Sequence, residues 1–251
     1  MRIDDADDRA PSVDSHRVWP VRMRWEHLLF AHWPVDAEEL SRRLPPDLLL
    51  DTWEGEAWIG VVPFLMTASG PNPIALPGPL GTFGELNVRT YVRPRDPGDG
   101  PPGILFLSLD CANPLAVEGA RLVYRLPYFH CRIGISVAGP TVTYRASRRD
   151  RRAARSRFEG TYWASGEATA AADGSLADWL TARFALYSSD RQGRVYRGDI
   201  RHRRWQLAPA TLTMRAETLL AGHGVTQPAV EPLLHLTEPV DVVAALPVRI
   251  R

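Results

Sequence analysis

Four polar or aromatic side chains alternate along one short stretch of the chain, Glu85, Asn87, Arg89 and Tyr91 in ELNVRTYV. Successive side chains of an extended strand point to opposite faces, so these four share one face and Leu86, Val88, Thr90 and Val92 the other. On the polar face Arg89 can grip an anionic group through two parallel hydrogen bonds. Glu85 can move a proton if its surroundings raise its pKa. Three destinations are open for that face: a ligand site, a structural polar network, or solvent. A second group, Arg121, Tyr124, Tyr128 and His130, falls in ARLVYRLPYFH. Its arginine and phenols suit a carboxylate or another polar oxygen, and His130 suits acid–base work near neutral pH. Packing of the tyrosines and the histidine is the competing reading. In RVYRGDIRHRRW, Arg197, His202 and Trp205 either cap a pocket or finish a sheet.

Other chemistries are excluded or disfavoured. All 30 basic residues apart from histidine are arginine, so no lysine amine can form a Schiff base with a carbonyl substrate. There is no GxSxG nucleophile elbow and no P-loop, and no GxGxxG stands where a nucleotide fold would require it. The histidines are dispersed and HCR is too short for a zinc set, so no metal and no cofactor is expected. Cys111 and Cys131 read as buried thiols, with a single bridge as the alternative. A net charge of +1 creates no global field for nucleic acid. The arginine-rich SRRDRRAARSR lacks interleaved stacking aromatics and reads as a solvated hairpin, which leaves nucleic acid a remote partner. No apolar run is long enough to cross a membrane, and the acidic start MRIDDADDRAPSVD is unlike a signal peptide, so a cytoplasmic protein is expected.

The elements that must position these groups are mostly strands. Residues 1–16 read as a flexible acidic tail and 17–251 as one domain. Asp36 caps a short helix ended by Pro45 and Pro46, Asn113 caps another with Pro114 at its first position, and Ser175 with Asp178 marks a third. DTWEGEAWIGVVPFLMT reads as strands turning at Glu54-Gly55, with Pro63 at an edge or a bulge. The proline- and glycine-rich segment SGPNPIALPGPLGTFG is a long ordered loop or a flap, and ILFLSLD a strand covered on both faces. Short helices among many strands favour a mostly β fold, a curved antiparallel or mixed sheet, with a barrel as its closed form.

LPPDLLLDTWEGEAWIGVVPFLM, FGELNVRTYV, ARLVYRLPYF and LTARFALYSSDRQGRVYRGDIRHRRWQLAPA resemble the YqjF-like proteins of the DUF2071 family, over roughly residues 18–248. The resemblance implies a fold related to acetoacetate decarboxylase, a cone-like curved β sheet around a cavity. That decarboxylase works through a Schiff-base lysine, and here Tyr128 stands in the corresponding region. The implied function is binding of, or proton transfer on, a small organic acid or carbonyl compound without amine catalysis; the alternative is a non-catalytic binding protein. Glu85 and Arg89 are then the candidate catalytic pair. Asn87, Tyr91, Arg121, Tyr124, Tyr128 and His130 are the candidate ligand contacts.

Overall fold

A computed structural model describes residues 7–10 and 18–250. In chain order its elements are β1 (Val21–Glu26), β2 (Leu29–Val35), α1 (Ala37–Ser41), β3 (Leu48–Leu50), β4 (Ala57–Pro71), β5 (Phe83–Pro94) and β6 (Gly103–Cys111). Then follow α2 (Pro114–Val123), β7 (Tyr128–Ala138), β8 (Thr141–Arg148), β9 (Arg157–Ala164), β10 (Thr169–Ala170), α3 (Leu176–Thr181) and β11 (Ala185–Ser189). The last are β12 (Val195–His202), β13 (Gln206–Glu217), α4 (Leu219–Gly222), β14 (Leu233–Thr237), β15 (Val240–Ala244) and β16 (Val248–Arg249).

The strands form one mixed sheet that closes on itself twice. One circuit runs β1–β4–β5–β6–β11–β12–β15 and back to β1. The other runs β4–β5–β6–β7–β8–β9–β13–β14–β2 and back to β4. Strands β4, β5 and β6 are the shared wall. The second circuit is filled: Leu86 and Val88 of β5 pack there with Trp33, Val61, Tyr144 and Phe158. Burying each such aliphatic side chain contributes roughly 1.5–3 kcal/mol. The first circuit is hollow, and the opposite face of β5 looks into it.

Two local irregularities make the shared wall possible. Strand β4 pairs with β2 up to Val61 and with β1 from Leu65 onward. Pro63 lies between them. It was expected at an edge or a bulge, yet it sits mid-strand, where a residue without an N–H fits because one flank has no registered partner. On β6 the register to β5 slips, so that Val88 faces Ser108 but Arg89 faces Phe106. The slip turns Leu107 into the filled core while Leu109, Phe106 and Ile104 all face the hollow.

The expected caps form. Asp36 Oδ1 accepts from the Glu38 and Glu39 amides, Ser175 Oγ accepts from the Asp178 amide, and Asn113 Oδ1 accepts from the Leu115 and Ala116 amides. Asn113 also donates from Nδ2 to the carbonyls of Pro79 and Leu80, tying the proline-rich loop to the start of α2. Asn113→Ala should therefore cost about 1–2 kcal/mol in chemical denaturation, the upper end of a capping loss. An Asn113→Asp variant, which keeps the cap but not the donors to the loop, should recover about half.

SRRDRRAARSR joins β8 and β9 as a hairpin with Arg149, Arg151, Arg152, Arg155 and Arg157 exposed, as expected, and Arg148 is the exception. Arg148 is 4% exposed and forms a two-point ion pair with Asp110, at 2.6 and 2.8 Å, inside the protein. Arg152 pairs with Asp150 and Glu118. These pairings neutralise part of the charge that a phosphate backbone would need. Of the expected tail, residues 1–6 and 11–16 lie outside the described residues. Asp7 donates its amide to the His202 carbonyl at 3.0 Å, and Arg9 grips Asp178 at 2.7 and 2.8 Å, so residues 7–10 are docked on the barrel. Both cysteines are buried and unbridged. No described helix is long and apolar enough to cross a membrane.

Candidate functional site

The hollow circuit encloses a cavity of about 470 Å³. Phe30, Phe64, Phe106, Ile200 and Trp205 make much of its wall, and the polar groups are few: Glu85, Asn87 and Arg89 from β5, Tyr124 and Tyr128 around the α2–β7 junction, Arg183 after α3, His202 at the end of β12, and the hydroxyl residues Ser69 and Thr181. Of the three destinations open to the polar face of β5, solvent is ruled out. Glu85 is 3%, Asn87 5% and Arg89 7% exposed.

Tyr128 donates its hydroxyl to Glu85 Oε2 at 2.9 Å, and Tyr144 donates to the Glu85 carbonyl at 2.8 Å, holding this part of β5 from both faces. Burial raises the Glu85 pKa to about 8, against the lowering effect of the Tyr128 hydrogen bond and with a further push from the Asp110 charge. Near neutral pH the carboxyl thus exchanges a proton readily. Burial and the Glu85 charge hold the Tyr128 phenol well above its usual range, which makes it a hydrogen-bond donor rather than a base.

Arg89 is buried without a counter-charge among the described residues. Nη2 donates weakly to Tyr91 Oη and to the Leu180 carbonyl, each at 3.4 Å, its Nε has no partner, and its guanidinium lies 4.8 Å over the Phe30 ring. None of these partners carries a charge. Arg183 shows the contrast: Nη1 reaches Asp51 at 2.6 Å and Nε the Trp179 carbonyl at 2.7 Å. It also borders a second hollow shared with Arg9, Asp178 and Arg197. Asn87 leaves its Oδ1 buried and unpartnered.

The expected ligand contacts therefore divide. Tyr124 and Tyr128 line the cavity, and burial raises the Tyr124 phenol to about 12. Tyr91 does not line it. It stands behind Arg89, accepting from Nη2 and bonded to His32 Nε2 at 2.7 Å. Burial first, then the Arg89 charge, hold the His32 pKa well below its usual value. Gly60 makes room for this pair, since a β-carbon there would come within 2.9 Å of the His32 ring. Arg121 turns away to donate to the Tyr128 carbonyl at 2.8 Å, positioning the start of β7. His130 shares a face of β7 with Tyr128 but lies where the strand leaves its pairing with β6, and it is exposed; its amide donates to Asp150.

His32 and Arg183 carried no signal in the sequence. Each is a lone polar residue in an apolar run, indistinguishable there from a packed core residue. His202, by contrast, does meet Trp205, with ring centroids 4.7 Å apart, and burial lowers its pKa to about 4. Among the described residues no three His, Cys, Asp or Glu side chains converge on a point that would hold a metal ion.

Residues 22–241 match the model of DUF2071, a family described as an uncharacterized conserved protein. The chain belongs to the DUF2071 family. It is 38% identical over 226 residues to the uncharacterized protein YqjF of Bacillus subtilis, covering 90% of each. Among solved structures this DUF2071 chain resembles acetoacetate decarboxylase from Legionella pneumophila, at 14% identity and a TM-score of 0.62 over 96% of this chain and 92% of that one. The enduracididine biosynthesis enzyme MppR, complexed with pyruvate, matches at 15% identity and a TM-score of 0.64 over 92% and 90%. An acetoacetate decarboxylase-like enzyme from Sphingomonas wittichii matches at 12% and 0.59 over 93% and 95%. These likenesses establish for the DUF2071 chain an acetoacetate decarboxylase-like fold.

Proposed function

We propose that the protein binds a small organic acid or carbonyl compound in the hollow barrel and that Glu85 exchanges a proton with it. The observation that carries this reading is Arg89, a buried guanidinium with only uncharged partners at the wall of an apolar cavity. An unpaired buried charge costs several kcal/mol, and a carboxylate ligand would relieve it. In that role Arg89 orients the anionic group, Asn87 meets a hydroxyl or carbonyl oxygen along the ligand, and Glu85, steadied by Tyr128, is the acid or base. No lysine Schiff-base step is available, because the chain has no lysine and Tyr128 offers only a phenol. Pyruvate bound by MppR, a protein of like fold, supports the ligand class. The unbridged cysteines fit a reducing, cytoplasmic setting.

Native mass spectrometry of the purified protein after exposure to a metabolite extract tests the reading. A bound acid or carbonyl compound is expected, retained by the wild type and lost by Arg89→Met. If the bound compound is consumed, Glu85→Gln should lower turnover by about 100- to 10,000-fold while keeping the ligand. Retention without consumption by the wild type would make the protein a binder. Binding to Arg89→Met as tight as to the wild type would sink the assignment.

A further inference from the structure

The cavity has two unlike ends, and strand β5 runs between them. At one end Arg89 sits among Tyr91, Leu180 and Arg183, which are 0%, 0% and 5% exposed. At the other, Val123 of α2 and Leu246 after β15 both line the cavity and reach solvent, with 41% and 51% exposure. The strand register gives the direction. Arg89 lies opposite Gly60 and Phe83 opposite Met66 of β4. Strand β4 continues to Pro71, beside Val21, and Val21 is registered with Ala244, two residues before Leu246. The Phe83 end of β5 is therefore the open end and the Arg89 end is closed.

Between the ends the wall is almost wholly apolar. Phe64, Met66, Ile200 and Met23 face the path, and the rim itself is apolar rather than charged. The polar pair met on the way is Asn87, which is neutral, and Glu85, whose buried carboxyl shares a hydrogen bond with Tyr128. A two-carbon or three-carbon acid seated on Arg89 would leave most of about 470 Å³ of apolar space without contact.

We propose that the ligand is an amphipathic monocarboxylate that enters carboxylate first, with an acyl or arylalkyl chain reaching from Arg89 to the rim between Val123 and Leu246. This rests on the acid-binding reading above and names its ligand class.

Isothermal titration of the full chain with straight-chain monocarboxylates from acetate to dodecanoate reads this directly. Affinity should rise about fourfold per added methylene, the ratio set by burying one methylene, and level off once the chain meets solvent at the rim. Leu246→Trp, which narrows the rim, should move the levelling point to shorter acids. The methyl ester of decanoate should bind at least tenfold more weakly than decanoate. Affinity that is flat or falls with chain length overturns the proposal while short-acid binding leaves the acid reading intact. An ester binding as well as the acid overturns the carboxylate-first orientation. If no acid of any length binds, both readings fall.

Discussion

Arg89→Met should weaken acid binding by about ten- to a hundredfold and, at the same time, raise the stability of the unliganded protein. The loss follows from removing a charge-assisted hydrogen bond, worth about 1.5–3 kcal/mol. The gain follows from the state of the free protein. Arg89 is 7% exposed, donates only to a phenol and a carbonyl at 3.4 Å, and leaves Nε without a partner. A methionine of similar reach would pack on Phe30 and shed the cost of burying that charge, with an expected gain of about 1–4 kcal/mol. Tyr91 would keep its bond to His32. Calorimetric melting of the ligand-free proteins, paired with titration by one acid, separates the two effects. A lowered melting point with unchanged affinity would mark Arg89 as a structural group. Opposite signs for stability and binding would mark a position held for its ligand.

Glu85 should impose a pH dependence on folding that Glu85→Gln abolishes. Its pKa is about 8 in the folded protein, against an ordinary value of 4.5. The folded state therefore keeps a proton that the unfolded state releases, so stability falls as pH rises. The contribution is flat below about 4.5, declines between about 4.5 and 8, and is flat again above, for a total of up to roughly 5 kcal/mol. The amide introduced by Glu85→Gln cannot ionise and can still accept from Tyr128, which preserves the contact that steadies β5. Urea denaturation of both proteins at pH 5, 7 and 9 isolates the effect, because the buried histidines titrate alike in the two. The variant should gain on the wild type across this range, most steeply between pH 5 and 8. Parallel curves would show that Glu85 ionises like an exposed carboxylate and is unfit as a proton donor near neutrality.

The two results bear on one another through the cavity. A ligand carboxylate on Arg89 would neutralise the charge there, whereas Glu85 lies two alternations away on the same face and would meet that ligand as an uncharged group at neutral pH. A site that presents one fixed cation and one readily exchanged proton along an apolar channel differs from the amine-based chemistry of the decarboxylase whose fold it shares. Fold likeness at 12–15% identity therefore leaves the chemistry to be read from these side chains.

Much of this protein was legible locally. Periodicity two in ELNVRTYV set Glu85, Asn87 and Arg89 on one face, the Asp36, Asn113 and Ser175 caps marked three helix starts, and the absence of lysine removed Schiff-base chemistry whatever the fold. Each of these depends on residues within a few positions of one another, or on composition. What the sequence could not decide was which space each face enters. That depended on β5 lying between two circuits closed by strands as distant as β1 with β15 and β2 with β14, and on the slip at Leu107 that rephases β6. The same long-range closure took His130 out to solvent, put Tyr91 behind Arg89 instead of beside a ligand, and brought Arg148 inward to Asp110. Side-chain alternation is a property of a single strand, but inside and outside exist only once a sheet has closed, and closure is made by pairings that no short stretch of sequence contains.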